Sequence, residues 1–263
     1  MTISGKLRAG IAVFVLGLSL LSIAYAQDAP TANLNVSFYS QYIWRGYELS
    51  KNSAVIFPSL TVGWKGFACN VWVDFDTNYH AEEPNTHRLW ETDWVLTYAN
   101  SISKLKYTVG WIYYDTNPPQ GSGAIDSSAQ ELFLILGLDW PLLNPTFSVW
   151  SEIQNGPSWY MNLALSHSFG FGDGYSFDVG GWVSYWDKNN EAEEPYLDGY
   201  RSWHDGNLWA GLKIPLNKYI SLTPKVQYSF PLSTGADRFM QMFSMHGNES
   251  QFVYGGVILD VTF

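Results

Sequence analysis

Cysteine is almost absent from this 263-residue chain: Cys69 stands alone, which excludes an intramolecular disulfide framework. Charge is scarce as well. Charged residues make up 14% of the chain and aromatic ones 17%, a balance that suits a surface facing lipid better than one facing water. Positive charge is scarcest, with 14 Lys and Arg against 24 Asp and Glu and a net charge of −10. That argues against nucleic acid as a partner, because binding to phosphates needs clustered cations. Past residue 26 there is no long apolar run either. The most apolar stretch, from Leu132 to Leu138, is ended by Asp139 and Pro141, far short of the roughly 18 residues a spanning helix requires.

What is present begins with a leader. Lys6 and Arg8 precede an apolar run over residues 9–24, and Ala24-Tyr25-Ala26 supplies a small-x-small cleavage site before Gln27. This is the pattern of a cleaved signal peptide over residues 1–26. Cys69 does not sit at that site, so a lipoprotein anchor is not expected. The leader holds two of the basic residues and none of the acidic ones, so the exported part is more acidic than the whole.

From Leu34 onward, alternating segments of about ten residues recur, the length a tilted strand needs to cross a bilayer. They read as strands over 34–44, 54–64, 67–79, 89–99, 104–115, 129–140, 146–154, 159–169, 175–187, 204–214, 219–230 and 251–263, an even number, as expected for a single-chain barrel. The connections alternate too. Short ones such as Lys65-Gly66 and 215–218 are separated by longer ones such as 45–53, 188–203 and 231–250, matching short periplasmic turns and long outer loops. A soluble β-sandwich is the alternative for many short strands. Against it, the apolar faces have charge-free middles, as in Val71 and Val73 or Leu163 and Leu165, while rings crowd the strand ends, as at Trp64, Phe67, Trp140 and Trp159. Rings at two levels fit interfacial girdles. The fold expected is therefore all-β: a membrane-spanning, up-and-down antiparallel β-barrel of about 12 strands over 34–263. A short periplasmic segment over 27–33 would precede it. Phe133 and Ile135, and Ile43 in the first strand, fall on the inward face and so either pack inside or mark a register error.

Two motifs carry a resemblance. The final strand alternates Val253, Gly255, Val257, Leu259, Val261 and Phe263 against Tyr254, Gly256, Ile258 and Asp260, and its terminal aromatic resembles the C-terminal signal by which bacterial outer-membrane barrels are inserted. The first strand ends Tyr39-Ser40-Gln41-Tyr42-Ile43-Trp44-Arg45-Gly46, similar to the Ser-x-Tyr-x-x-Arg-Gly-type opening of a family of proteobacterial outer-membrane β-barrel proteins described as candidate porins. The resemblance covers about 45 residues and implies an outer-membrane barrel. It implies as partners the barrel-assembly machinery, outer-membrane lipid and lipopolysaccharide, and no defined substrate.

Functional expectations come from the inward face. It carries Asp74, Asp76, Glu91 and Asp93 near the outer ends of two neighbouring strands, and further acids including Glu131, Glu152 and Asp260. Like charges across adjacent strands repel. They therefore either form a cation-attracting constriction or pair with Arg45 or Arg88 in a plug. Trp72, Trp150, Trp182 and Trp209 also point inward, as lumen filling or as stacking surfaces for a solute ring. Twelve strands lie between barrels that side chains fill and wide porins, so a narrow porin for small cationic or neutral solutes is expected. A closed barrel displaying its loops is the alternative. Loop residues His80, Glu82, Glu83 and His87, and Glu191, Glu193, Glu194 and Asp198, lack metal-ligand spacing, so neither a metal nor a cofactor is expected. Ser202, His204 and Asp205 are close enough to raise an outer-membrane lipid hydrolase, but no motif joins them, and no enzyme is expected.

Overall fold

The structure is a computed structural model that describes residues 29–50, 53–77, 88–116, 128–154, 158–188, 199–245 and 248–263, with Arg88 described in its backbone only. The leader 1–26 and the loop residues 80–87 and 191–198 lie outside the described residues.

Among the described residues, the alternating pattern folds as a closed barrel of twelve strands with a two-stranded hairpin and one helix inside it. The wall consists of β1 (Thr31–Tyr39), β4 (Val55–Trp64), β5 (Phe67–Asp76), β6 (Arg88–Ile102), β7 (Leu105–Thr116), β8 (Ala129–Leu138), β9 (Thr146–Glu152), β10 (Ser158–Phe171), β11 (Tyr175–Lys188), β12 (Tyr200–Pro215), β13 (Ile220–Pro231) and β14 (Phe252–Thr262). The hairpin is β2 (Ile43–Trp44) and β3 (Tyr47–Glu48), and the helix is α1 (Thr234–Phe243). Neighbouring wall strands pair antiparallel, and the seam closes where β1 meets β14, with Leu34 opposite Val261 and Phe38 opposite Val257. Closure removes the unpaired sheet edges that hydrocarbon would not solvate.

Side chains alternate across the wall. Leu60, Leu96, Leu163, Leu208 and Val226 are exposed on the outside, while Asn35, Asn70, Asn162 and Asp260 line the inside. An apolar exterior around a polar interior is the arrangement lipid imposes. At the short-turn end, Trp64, Trp140 and Tyr219 are exposed, each with a lysine ammonium over its ring: Lys65, Lys104 and Lys218. Trp94, Trp159 and Trp203 are exposed toward the other end. Among the described residues no helix is long and apolar enough to cross a membrane; the strands do so.

Three expectations need correction. The first strand ends at Tyr39 rather than Trp44, because Ser40–Ser50 leave the wall and turn into the barrel as β2–β3; Ile43 belongs to this hairpin. At its other end β1 begins at Thr31, inside the segment expected to precede the barrel. The connection 231–250 is not a plain loop but contains α1. The register of β8 is as expected: Phe133 packs inside, its ring standing over Gly110, where any side chain would collide with it, and 6.4 Å from Trp150.

Candidate functional site

The outer half of the lumen is occupied by a plug made from two separate segments. Its first part is the hairpin tip. Arg45 and Gly46 both have positive φ, 44° and 85°, the two-residue turn whose twist matches a tight hairpin. A methyl group at Gly46 would collide with Met240 Cε and lie 2.8 Å from Asp205 Cβ, so glycine is needed for both backbone conformation and close approach. The second part is α1. Ser233 caps it, its hydroxyl accepting from Ala236 N at 3.0 Å, and Ala236, Phe239 and Met240 are buried. Glu48 N donates to Ser244 Oγ at 3.0 Å and Met245 N to Glu48 O at 2.9 Å, tying hairpin to helix. Aromatic rings fill the space between them, Tyr47 lying 6.2 Å from Phe239 and 6.3 Å from Phe243, and Phe239 packs on the wall 5.3 Å from Trp186 and 4.7 Å from Tyr200.

Two β-bulges in the wall shape the site. Between Val183 and Tyr185 the register with β12 shifts, so the consecutive residues His204 and Asp205 are both buried inside, as a bulge permits. His204 Nε2 lies 2.9 Å from Arg45 O. A carbonyl only accepts, so Nε2 carries the proton and Nδ1 accepts from the Tyr200 hydroxyl at 2.6 Å. Asp205 accepts from Tyr160 Oη at 2.8 Å, Trp182 Nε1 at 2.9 Å and Ser184 Oγ. Ser202 is bonded to Ser233. None of these hydrogen bonds joins two of Ser202, His204 and Asp205 directly: Ser202 meets Ser233, His204 meets Tyr200 and Arg45 O, and Asp205 meets Tyr160, Trp182 and Ser184.

The second bulge follows Asp74, which the regular ladder already sets opposite Glu91, and moves Leu89 opposite Phe75. Asp74 and Glu91, with Asp76 and Asp93, are buried on the inward face. Asp74 is 1% and Asp93 7% exposed, and Oδ1 of each has no hydrogen-bond partner. Tyr42 Oη donates to Glu91 Oε2 at 3.0 Å. Burial, and then the carboxylates of Glu91 and Asp93, push the Tyr42 hydroxyl well above its ordinary pKa, so it remains a donor. Among the described residues no three His, Cys, Asp or Glu side chains are grouped to hold a metal ion.

Arg45 pairs with neither Asp74 nor Glu91. Its Nη2 straddles the Glu131 carboxylate at 2.8 and 2.7 Å, and the two side chains are 8% and 5% exposed. Its guanidinium lies 4.3 Å from the Trp44 ring centroid, 4.4 Å from Tyr160 and 5.3 Å from Trp186. Burial opposes the charge, but Glu131, with Tyr114 and Tyr160, outweighs it and raises the pKa of Arg45.

The four inward tryptophans have separate roles. Trp72 packs on Tyr42 and Phe57 at 5.7 and 4.8 Å, Trp150 on Tyr160 at 5.7 Å, Trp182 bonds Asp205, and Trp209 lies under the Lys225 ammonium at 4.8 Å. They are dispersed rather than gathered around one solute. Phe263, 71% exposed, ends the wall at the short-turn side, where its N–H donates to Ala32 O at 2.8 Å. Tyr42, Tyr160 and Trp186 help make the site, but sequence alone assigns them no role in it: Tyr42 reads as part of the opening motif, and Tyr160 and Trp186 as strand-end rings; the Arg45-Gly46 turn between aromatic residues is the signal available.

A closed, lipid-facing antiparallel barrel with a polar lumen is the fold of the outer-membrane β-barrel proteins, and the chain is one of that class, located in the outer membrane. Its fold is similar to that of the NanC porin, with a TM-score of 0.50 at 11% identity, over 88% of this chain and 98% of that one. It is also similar to outer membrane phospholipase A from Escherichia coli, with a TM-score of 0.45 at 13% identity over 90% and 98%. The anion-selective porin from Comamonas acidovorans gives 0.36 at 8% identity over 90% and 100%. No protein-family model matches the chain, and no curated protein matches it.

Proposed function

We propose that the chain is a narrow outer-membrane porin for small cationic or neutral solutes, with the hairpin and α1 as its constriction and no catalytic step of its own. The observation that carries this is the wall below the plug. Asn33, Asn35, Asn70, Asn162, Ser166 and Asp260 face inward and are half-buried rather than buried, which supports a wetted vestibule leading to the carboxylates of Asp74, Glu91 and Asp93. Carboxylates in a low-dielectric wall concentrate cations. The opening residues 39–46 make kinship with the proteobacterial porin-type family part of this reading. Lipopolysaccharide around the outer girdle and the assembly machinery at Phe263 are its implied partners.

The test is electrical. Under a salt gradient the refolded protein is expected to give a reversal potential of cation-selective sign, and Asp74→Asn with Asp93→Asn to move it toward zero. Absence of conductance in folded wild type would overturn the porin. A closed barrel displaying its outer loops is the second reading. The buried Arg45–Glu131 pair that ties the plug to the wall favours it, and it expects that silence.

A further inference from the structure

The surroundings of Arg45 differ from those of an ordinary structural arginine in where their parts come from. Among the described rings over which its guanidinium lies, Trp44 belongs to the plug and the others to the wall. Glu131 is on β8, Tyr114, whose hydroxyl donates to Glu131 Oε2 at 2.9 Å, is on β7, Tyr160 is on β10, and Trp186 is on β11. The barrel wall alone therefore holds a carboxylate with a neighbouring hydroxyl already oriented on it, flanked by two ring faces. Those rings are held independently of Arg45. Tyr160 is fixed by its bond to Asp205 and by Trp150, and Trp186 by the bond from its Nε1 to Ser158 Oγ at 2.9 Å. A buried carboxylate between aromatic faces is chemistry that recognises a planar, delocalised cation, which stacks on rings while donating to oxygen.

We propose that this wall is a binding site for small guanidinium solutes, and that Arg45 occupies it as a tethered stand-in for the ligand. The backbone at Arg45 agrees with a side chain placed for its head group. Its φ of 44° is a conformation that a residue with a Cβ seldom adopts, and the turn would form more easily with glycine there. A tethered group competes at an effective concentration on the order of millimolar. A free solute therefore gains the site when it is abundant or when the hairpin withdraws, and its arrival frees the plug. This goes beyond the porin reading, since binding requires no current.

Arg45→Gly empties the site while relieving the turn. In detergent micelles at constant ionic strength, methylguanidinium is expected to change the tryptophan fluorescence of Arg45→Gly saturably. The half-point should lie at least tenfold below any response of wild type, whose site is filled. Methylammonium should bind at least tenfold more weakly, and neutral methylurea should give no response. Adding Glu131→Gln to Arg45→Gly should abolish the methylguanidinium response. If Arg45→Gly folds only when methylguanidinium is present, the same binding is read through folding. The proposal is overturned if Arg45→Gly shows no saturable response, if it stays unfolded at every methylguanidinium concentration, or if methylammonium and methylguanidinium act alike. A missing current in wild type would sink the porin and leave these titrations unchanged.

Discussion

Adding one methyl group at Gly46 tests whether the plug is seated as tightly as its contacts imply. Two penalties combine in Gly46→Ala. The φ of 85° costs a residue with a Cβ about 1–2 kcal/mol. The methyl would also press on Met240 and on Asp205 Cβ, 2.8 Å away. Met240 can swing its end aside, but Asp205 is held by Tyr160, Trp182 and Ser184, so overpacking adds about 1–3 kcal/mol. The expected loss is about 2–5 kcal/mol. Gly199 is the control, with a φ of 75° and, among the described residues, nothing within 4 Å of the added methyl, so Gly199→Ala should lose only the backbone part, about 1–2 kcal/mol. Urea unfolding of the two variants in lipid vesicles, followed by tryptophan fluorescence, gives the difference directly. Where the porin reading holds, Gly46→Ala should also raise conductance by loosening the constriction. Equal losses for the two variants would refute the close seating of Gly46 against Asp205.

Further outcomes follow from other sites. Leu163, 53% exposed on the lipid side, should cost about 2–4 kcal/mol on Leu163→Arg if it lies near mid-membrane, and the inward Asn162→Arg much less; similar costs in vesicle refolding would contradict the register of β10. Asp205→Ala strands the buried donors of Tyr160 and Trp182, so a loss of about 2–4 kcal/mol is expected, and a thermal midpoint equal to wild type would show that the hub adds nothing. Phe263 is exposed, so its ring buries little apolar surface. Phe263→Ala should therefore leave the urea midpoint of refolded protein unchanged while lowering the amount assembled in cells, and unchanged cellular assembly would argue that the final aromatic is not read by the insertion machinery.

The wall was legible in the sequence because a period of two and a lipid-facing side impose the same pattern on every strand. Val55–Trp64 and Tyr175–Lys188 fall within about a residue of the expected bounds. The pattern misled at Ser40–Trp44, where alternation continues past the wall: Tyr42 and Trp44 serve the interior of the plug, which is as apolar as the strand they follow. α1 was missed although its signals are present, with Ser233 as cap and Phe239, Met240 and Phe243 spaced for one helical face. The inward acids could be read from strand parity. The pairing of Arg45 with Glu131, rather than with the acids nearer in sequence, could not, because it depends on how far the hairpin descends. Nor could the inward turn of both His204 and Asp205, since a bulge breaks the parity such reading relies on.

The plug joins loops from opposite ends of the chain, since the hairpin follows β1, α1 precedes β14, and the two strands meet only at the seam. Arg45 must then reach across to β8, midway along the sequence. The hairpin–helix contacts, 196 residues apart between Glu48 and Ser244, are among the most distant pairings the fold contains, and such contacts form late because long loops must close first. A barrel with its seam still open would hold Glu131 and Tyr160 without the guanidinium between them. The ring contacts of Arg45 therefore mark a finished cylinder, and their arrival in refolding should trail the formation of the wall.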